Sequence, residues 1–247
     1  MNREFSYRVW LLLSAIIFLY VISLWSCGYE KAHFTQNKLP LSRTSRVVII
    51  GFQPALLSGE KADIVRDPLS GATFMAEPVS QDAVRVMTNT LFERLVTDTS
   101  FSLVSPGQAR GTFLDIVASD RSASLDTVEI LQEVGRAFDA DAVLVGYLYR
   151  WNERHGSDYG VKSPASVAFD LHILKSSGGE ILWRGRFDKE QRSLSENLLD
   201  LETFIRGGGK WMTVRELALL GLKDLLTEMS SGLQEGEDLK NAGNSGY

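Results

Sequence analysis

The stretch "ADAVLVGYLYRW" (140–151) leaves this chain few folds to choose from. In an extended strand Val143, Val145, Tyr147 and Tyr149 fall on one side, and Ala142, Leu144, Gly146 and Leu148 on the other. Apolar on both sides, such a strand needs cover on both sides, so it belongs inside a sheet with a layer packed on each face.

The flanking sequence supplies those layers. "RVVIIGFQP" (46–54) is a short β-branched run ended by Pro54, as expected of a second buried strand. Residues 54–79, with Pro54, Gly59, Pro68, Gly71 and Pro78, read as a long surface loop or small irregular excursion. Ser80 then caps a helix whose face carries Val84, Met87, Leu91 and Leu95, with Val79 and Val84 at the positions of a hydrophobic staple. "FSLVS" (101–105) is a short strand, and Ser105, Pro106 and Gln108 spell the N-cap, first turn and capping box of another helix. "DTVE" (126–129) opens a third helix, expected to bury Ile130, Leu131, Val134 and Phe138.

Beyond the central strand, "ASVAFDLHIL" (165–174) sets Val167, Phe169, Leu171 and Ile173 against Ser166, Ala168, Asp170 and His172. After the turn "KSSGGE", "ILWRGRFD" (181–188) alternates again, which predicts a hairpin with one face toward the core. "SLSE" (193–196) caps a helix carrying Leu194, Leu198, Leu201 and Ile205. "TVRE" (213–216) caps the last, with a stripe of Val214, Ala218, Leu222, Leu225 and Met229. The expectation is one α/β domain, α+β-like in its mixed sheet of about five strands, over residues 46–230, with a disordered polar tail over 231–247.

In front of this domain, "MNREFSYR" carries Arg3 and Arg8, and residues 9–26 contain no charge. That layout is an export signal, and it also meets the roughly 18 apolar residues of a membrane-spanning helix. The run ends at Leu24, Trp25, Ser26 and Cys27. This quartet resembles the bacterial lipoprotein signal-peptidase motif, with Trp25 bulkier than usual. The resemblance implies a signal peptide over 1–27, cleavage before Cys27 and lipid on its thiol, with several acyl chains giving a stable membrane anchor. Gly28, in place of Asp, resembles the sorting pattern of enterobacterial lipoproteins, and that resemblance implies an outer-membrane, periplasm-facing lipoprotein. The alternative is an uncleaved single-span inner-membrane protein with a periplasmic domain, its Tyr20 and Trp25 at the membrane interface. Residues 28–45 read as a flexible tether reaching on the order of 60 Å.

Residues 28–247 hold 24 basic and 30 acidic side chains, which is no footprint for nucleic acid. Cys27 is the one cysteine, so an intrachain disulfide and a Cys-based zinc site are both excluded.

The runs "EVGRAFDADAVLVGYLYR" and "VAFDLHILKSSGGEILWRGRFD" join a helix to Asp-Ala-Val-Leu-Val-Gly, then to an antiparallel pair with a Gly turn and Leu182-Trp183. This pattern resembles the α/β domain of the TolB amino-terminal, CsgG and LpoB (penicillin-binding-protein activator) group of envelope proteins, over residues 46–230. The resemblance implies a non-enzymatic accessory in envelope assembly or export, with an envelope protein as partner. An oligomeric subunit of a CsgG-like secretion assembly is the alternative. The prolines and glycines of 54–79 break the alternation that barrel strands need, so no pore is expected.

Motifs for chemistry are few. "IRGGGKWM" (205–212) places Phe204 where a phosphate loop needs Gly and Trp211 where it needs Ser or Thr. His33, His155 and His172 show no metal-ligand spacing, so no metal and no cofactor besides the covalent lipid is expected. "NERHGSDYG" (152–160) crowds Ser, His and Asp into one loop, too close in sequence for a triad, and reads as a solvated turn between two strands. Its mixture of aromatic and cationic groups suits recognition instead. Trp151, Arg154, His155 and Tyr159, together with Trp211, are therefore the candidate partner-binding residues.

Overall fold

The computed structural model describes residues 41–119, 124–157, 160–191 and 210–244. Leu24, Trp25, Ser26 and Cys27, the tether up to residue 40, Tyr159 and the expected helix beginning near Ser193 lie outside them.

The sheet is built around β1 (Arg46–Pro54) and β5 (Ala142–Asn152), which pair in parallel. Outside β1 lies β4 (Ser102–Val104), also parallel. Outside β5 come β8 (Ser166–Lys175) and β9 (Ile181–Glu190), each antiparallel to its neighbour. The order β4-β1-β5-β8-β9 makes the mixed five-stranded sheet that the sequence predicts, with the doubly apolar strand at its centre.

Among the described residues, two helices cover the first face. In α1 (Gln81–Asp98) the Ser80 hydroxyl accepts from the Ala83 amide, and Ala83, Met87, Leu91 and Leu95 turn inward. In α4 (Val214–Asn244) the predicted stripe is buried throughout, joined by Leu217, Leu226 and Leu233. These side chains pack on Val47, Ile49, Leu144, Phe169 and their neighbours to form the larger core. The opposite face receives α2 (Pro106–Ala118) and α3 (Thr127–Ala137), both opened by complete capping boxes. Leu131, Val134 and Gly135 are the buried positions of α3, whereas Ile130 is only half-buried. The close approach of α3 to the sheet is made at Gly135, where a Cβ would sit 2.3 Å from Ser176 Oγ.

Two bulges steer side chains across the sheet. One, between Ile49 and Gly51, interrupts the β1–β5 register, and Gly51 adopts φ 82°. A Cβ there would stand 2.3 Å from Thr88 Cγ2, and the Phe52 amide donates to Thr88 Oγ1 at 2.9 Å. The extra residue moves Phe52 onto the first face, edge-on to Phe169. The other bulge, between Leu148 and Arg150 of β5, lets Tyr149 and Arg150 both reach the second face.

Several expectations need correcting. Residues 54–79 are not an irregular loop throughout: β2 (Asp63–Arg66) and β3 (Thr73–Ala76) form a hairpin laid on the second face. Each strand has four residues, too few for alternation to stand out between prolines. Residues 152–160 likewise enter a small hairpin of β6 (His155–Ser157) and β7 (Gly160–Ser163). Finally, α4 continues past residue 231 to Asn244 where a tail is expected. Ser230 and Ser231 lie within it, their hydroxyls donating to the carbonyls of Leu226 and Thr227 one turn back.

The folded body also begins earlier than Arg46. Leu41 is 7 % exposed and belongs to the larger core, and residues 42–45 close a turn through the Ser45 amide and the Ser42 carbonyl.

Candidate functional site

Four of the five predicted partner-binding residues are described, and the fold brings them to one end of the sheet. Arg154 Nη1 donates to the Trp211 carbonyl at 2.7 Å, across 57 residues of sequence. Glu153 Oε1 accepts from the Val214 amide at 3.1 Å, tying the start of α4 to the end of β5. Gln191, 1 % exposed, clamps the same segment by donating to the Lys210 carbonyl and accepting from the Met212 amide. Arg154 and Trp211 thus hold the fold together here, and Trp151 is half-buried against the larger core. His155 alone of the four is exposed.

Trp151 and His155 line an open groove of about 540 Å³, with Met75, Glu77, Glu153 and Glu190 around it. Arg150 forms part of its wall, donating to the Met75 carbonyl and to Asp188 Oδ1 at 2.7 Å, so that hairpin and β9 are held in a fixed relation. Beside the groove Ile64 and Met75, paired across β2 and β3, are 65 % and 52 % exposed. A groove with an aromatic wall, an imidazole, a carboxylate rim and an exposed aliphatic pair can take a peptide or protein surface.

A second group of polar side chains escapes sequence reasoning. On β8, Asp170 and His172 point to the second face, and the sequence places them outward. They are in fact buried, at 2 % and 1 % exposure, because the β2–β3 hairpin covers them. The turn of that hairpin contributes Asp67, 1 % exposed, whose Oδ1 accepts from the amides of Leu69 and Ser70. Tyr149 from β5 completes the group. Its hydroxyl lies 2.8 Å from Asp67 Oδ2 and 3.1 Å from Asp170 Oδ2, and its ring stacks on Phe74 with centroids 3.8 Å apart. His172 Nε2 stands 3.2 Å from Asp170 Oδ2 and 3.5 Å from Asp67 Oδ1.

Burial and charge divide the protons within this group. Burial pushes the Asp170 carboxyl up to about 6, against the pull of His172. For Asp67 burial also works upward, but the contact with His172, its charge and the Ser70 amide outweigh it and hold the carboxyl well below the usual range. Burial would lower His172, yet the two carboxylates raise it to about 9. Burial, then the same carboxylates, drive the hydroxyls of Tyr147 and Tyr149 far above their ordinary value. Among the described residues Asp67, Asp170 and His172 are a grouping able to hold a metal ion. The one legible sign is the Asp170–His172 spacing of two on a strand, which puts both on one face. Nothing local links them to Asp67, 82 residues from Tyr149 in the chain.

No family model matches the chain, and no curated protein matches it. Similar solved structures include the PelC dodecamer from Paraburkholderia phytofirmans, at 14 % identity and a TM-score of 0.40, covering 81 % of this chain and 96 % of that one. They also include the LpoB C-terminal domain from Salmonella enterica, at 17 % identity and a TM-score of 0.36, covering 61 % and 86 %. Lipoprotein GNA1162 from Neisseria meningitidis follows at 12 % identity and 0.40, covering 66 % and 96 %. LpoB, named in the resemblance read from the helix, strand and hairpin run, is thus among the structures similar to this chain.

Proposed function

We propose that this protein is a cell-envelope lipoprotein, held in a membrane by lipid on Cys27, whose α/β domain binds another envelope protein without catalysing a reaction. The observation that carries this reading is the N-terminal sequence: a basic lead, an uncharged run over 9–26 and its end at Leu24-Trp25-Ser26-Cys27. Gly28 favours the outer membrane, with the domain facing the periplasm. Protein binding is supported by the groove beside Trp151 and His155 and by the exposed Ile64–Met75 pair. A non-enzymatic role is supported by burial, since Asp67, Asp170 and His172, a cluster of ionisable groups, are at most 2 % exposed and out of a substrate's reach.

Cells fed a labelled fatty acid test the anchor. The wild type should carry label and a mass set by a chain starting at Cys27, while Cys27→Ala stays unlabelled and uncut. An unlabelled wild type with its first residue intact removes the proposal. A photo-crosslinker at position 155 should capture a discrete envelope protein, and Ile64→Asp with Met75→Asp should weaken that capture without lowering the melting temperature.

A further inference from the structure

The group behind the β2–β3 hairpin has a chemistry that neither a lipid anchor nor a docking groove uses. Asp67, Asp170 and His172 each offer a donor atom, and these atoms lie within 4.8 Å of one another. Buried carboxylates and imidazoles are costly unless their polar atoms find partners. Asp67 has them: two backbone amides on Oδ1 and the Tyr149 hydroxyl on Oδ2. Asp170 Oδ1 and both ring nitrogens of His172 have no hydrogen-bond partner, although His172 is 99 % buried by its 1 % exposure.

The approach of His172 Nε2 to both carboxylates is close, at 3.2 and 3.5 Å, yet lacks hydrogen-bond alignment. Donors that share a central ion stand in that relation. Around a tetrahedral ion with bonds of about 2.0–2.1 Å, neighbouring donors are about 3.3 Å apart. Charge points the same way. Two carboxylates, a neutral imidazole and a divalent cation sum to zero, so a bound ion leaves no net charge in this buried place.

We propose that Asp67, Asp170 and His172 bind a single divalent transition-metal ion of the Zn²⁺ type. One nitrogen and two carboxylate donors suit such an ion. The Leu69 and Ser70 amides and the Tyr149 hydroxyl orient the carboxylates as outer-shell partners of a metal site do. Asp67 comes from the hairpin turn and the other two ligands from β8, so the ion fastens the hairpin, and with it Met75 and one wall of the groove, to the sheet. Its role is structural.

Full-length protein in detergent, stripped with EDTA and dialysed against Zn²⁺, tests this. It should retain one equivalent by elemental analysis, and its melting temperature should rise by about 5–10 °C with free Zn²⁺ near a hundredfold above Kd. Asp170→Asn and His172→Asn should lose both effects, while His33→Asn keeps both. An equal response in His172→Asn, or no retained Zn²⁺ in the wild type, overturns the site. Should the variants fail to fold, wild-type crystals grown with Zn²⁺ decide: anomalous density bonded to His172 Nε2 supports it, and its absence there overturns it.

Discussion

Tyr149 performs two separable tasks with one side chain. Its ring stacks on Phe74 and fixes the hairpin, while its hydroxyl serves the carboxylates of Asp67 and Asp170. Tyr149→Phe keeps the first task and removes the second, taking away the one O–H proton that the two buried carboxylates share. The expected cost is about 1–3 kcal/mol in urea unfolding of EDTA-treated protein. An unchanged midpoint would mean that water replaces the hydroxyl. The identity of this residue as an apolar-face aromatic is legible from the alternation of 143, 145, 147 and 149. Its polar duty is not, because both acceptors come from distant parts of the chain.

At the scale of elements, the caps were legible because they are local. Ser80, Ser105 and Asp126 each act on a backbone amide three residues on, a distance no tertiary contact alters. The start of α4 follows the same logic and carries a pH signature. The Thr213 backbone amide holds the Glu216 carboxyl below its usual 4.5 against burial, with Lys210 and the Thr213 hydroxyl adding smaller pulls in the same direction. A carboxyl lowered in the fold contributes stability above its unfolded pKa and loses it as pH falls through the folded one. Wild type should therefore exceed Glu216→Gln in urea midpoint at pH 7, with the gap closing below pH 4.5. Parallel curves from pH 7 to pH 3 would refute this. Faces were harder to read than caps. The alternation of β8 separates two faces but is silent on whether a third layer lies over the polar one.

For the whole molecule, the limits of the folded body depend on contacts that no local pattern announces. Leu41 sits in a polar stretch, yet it joins the core shared by α1, α4 and the sheet. A chain starting at Arg46 should lose about 1.5–3 kcal/mol relative to one starting at Leu41, from the apolar surface it no longer buries. Equal urea midpoints would show that the segment contributes nothing. Periodicity and capping chemistry, which act over a few neighbouring residues, determined by themselves the starts of α1 to α4, the five strands of the mixed sheet and the double cover of its central strand. Only the tertiary structure decided that a hairpin closes over Asp170 and His172, that Asp67 meets them, and that Arg154 bonds to Trp211. Each of these joins residues far apart in sequence, so its free energy comes from burial and charge meeting in space, which spacing along the chain does not encode.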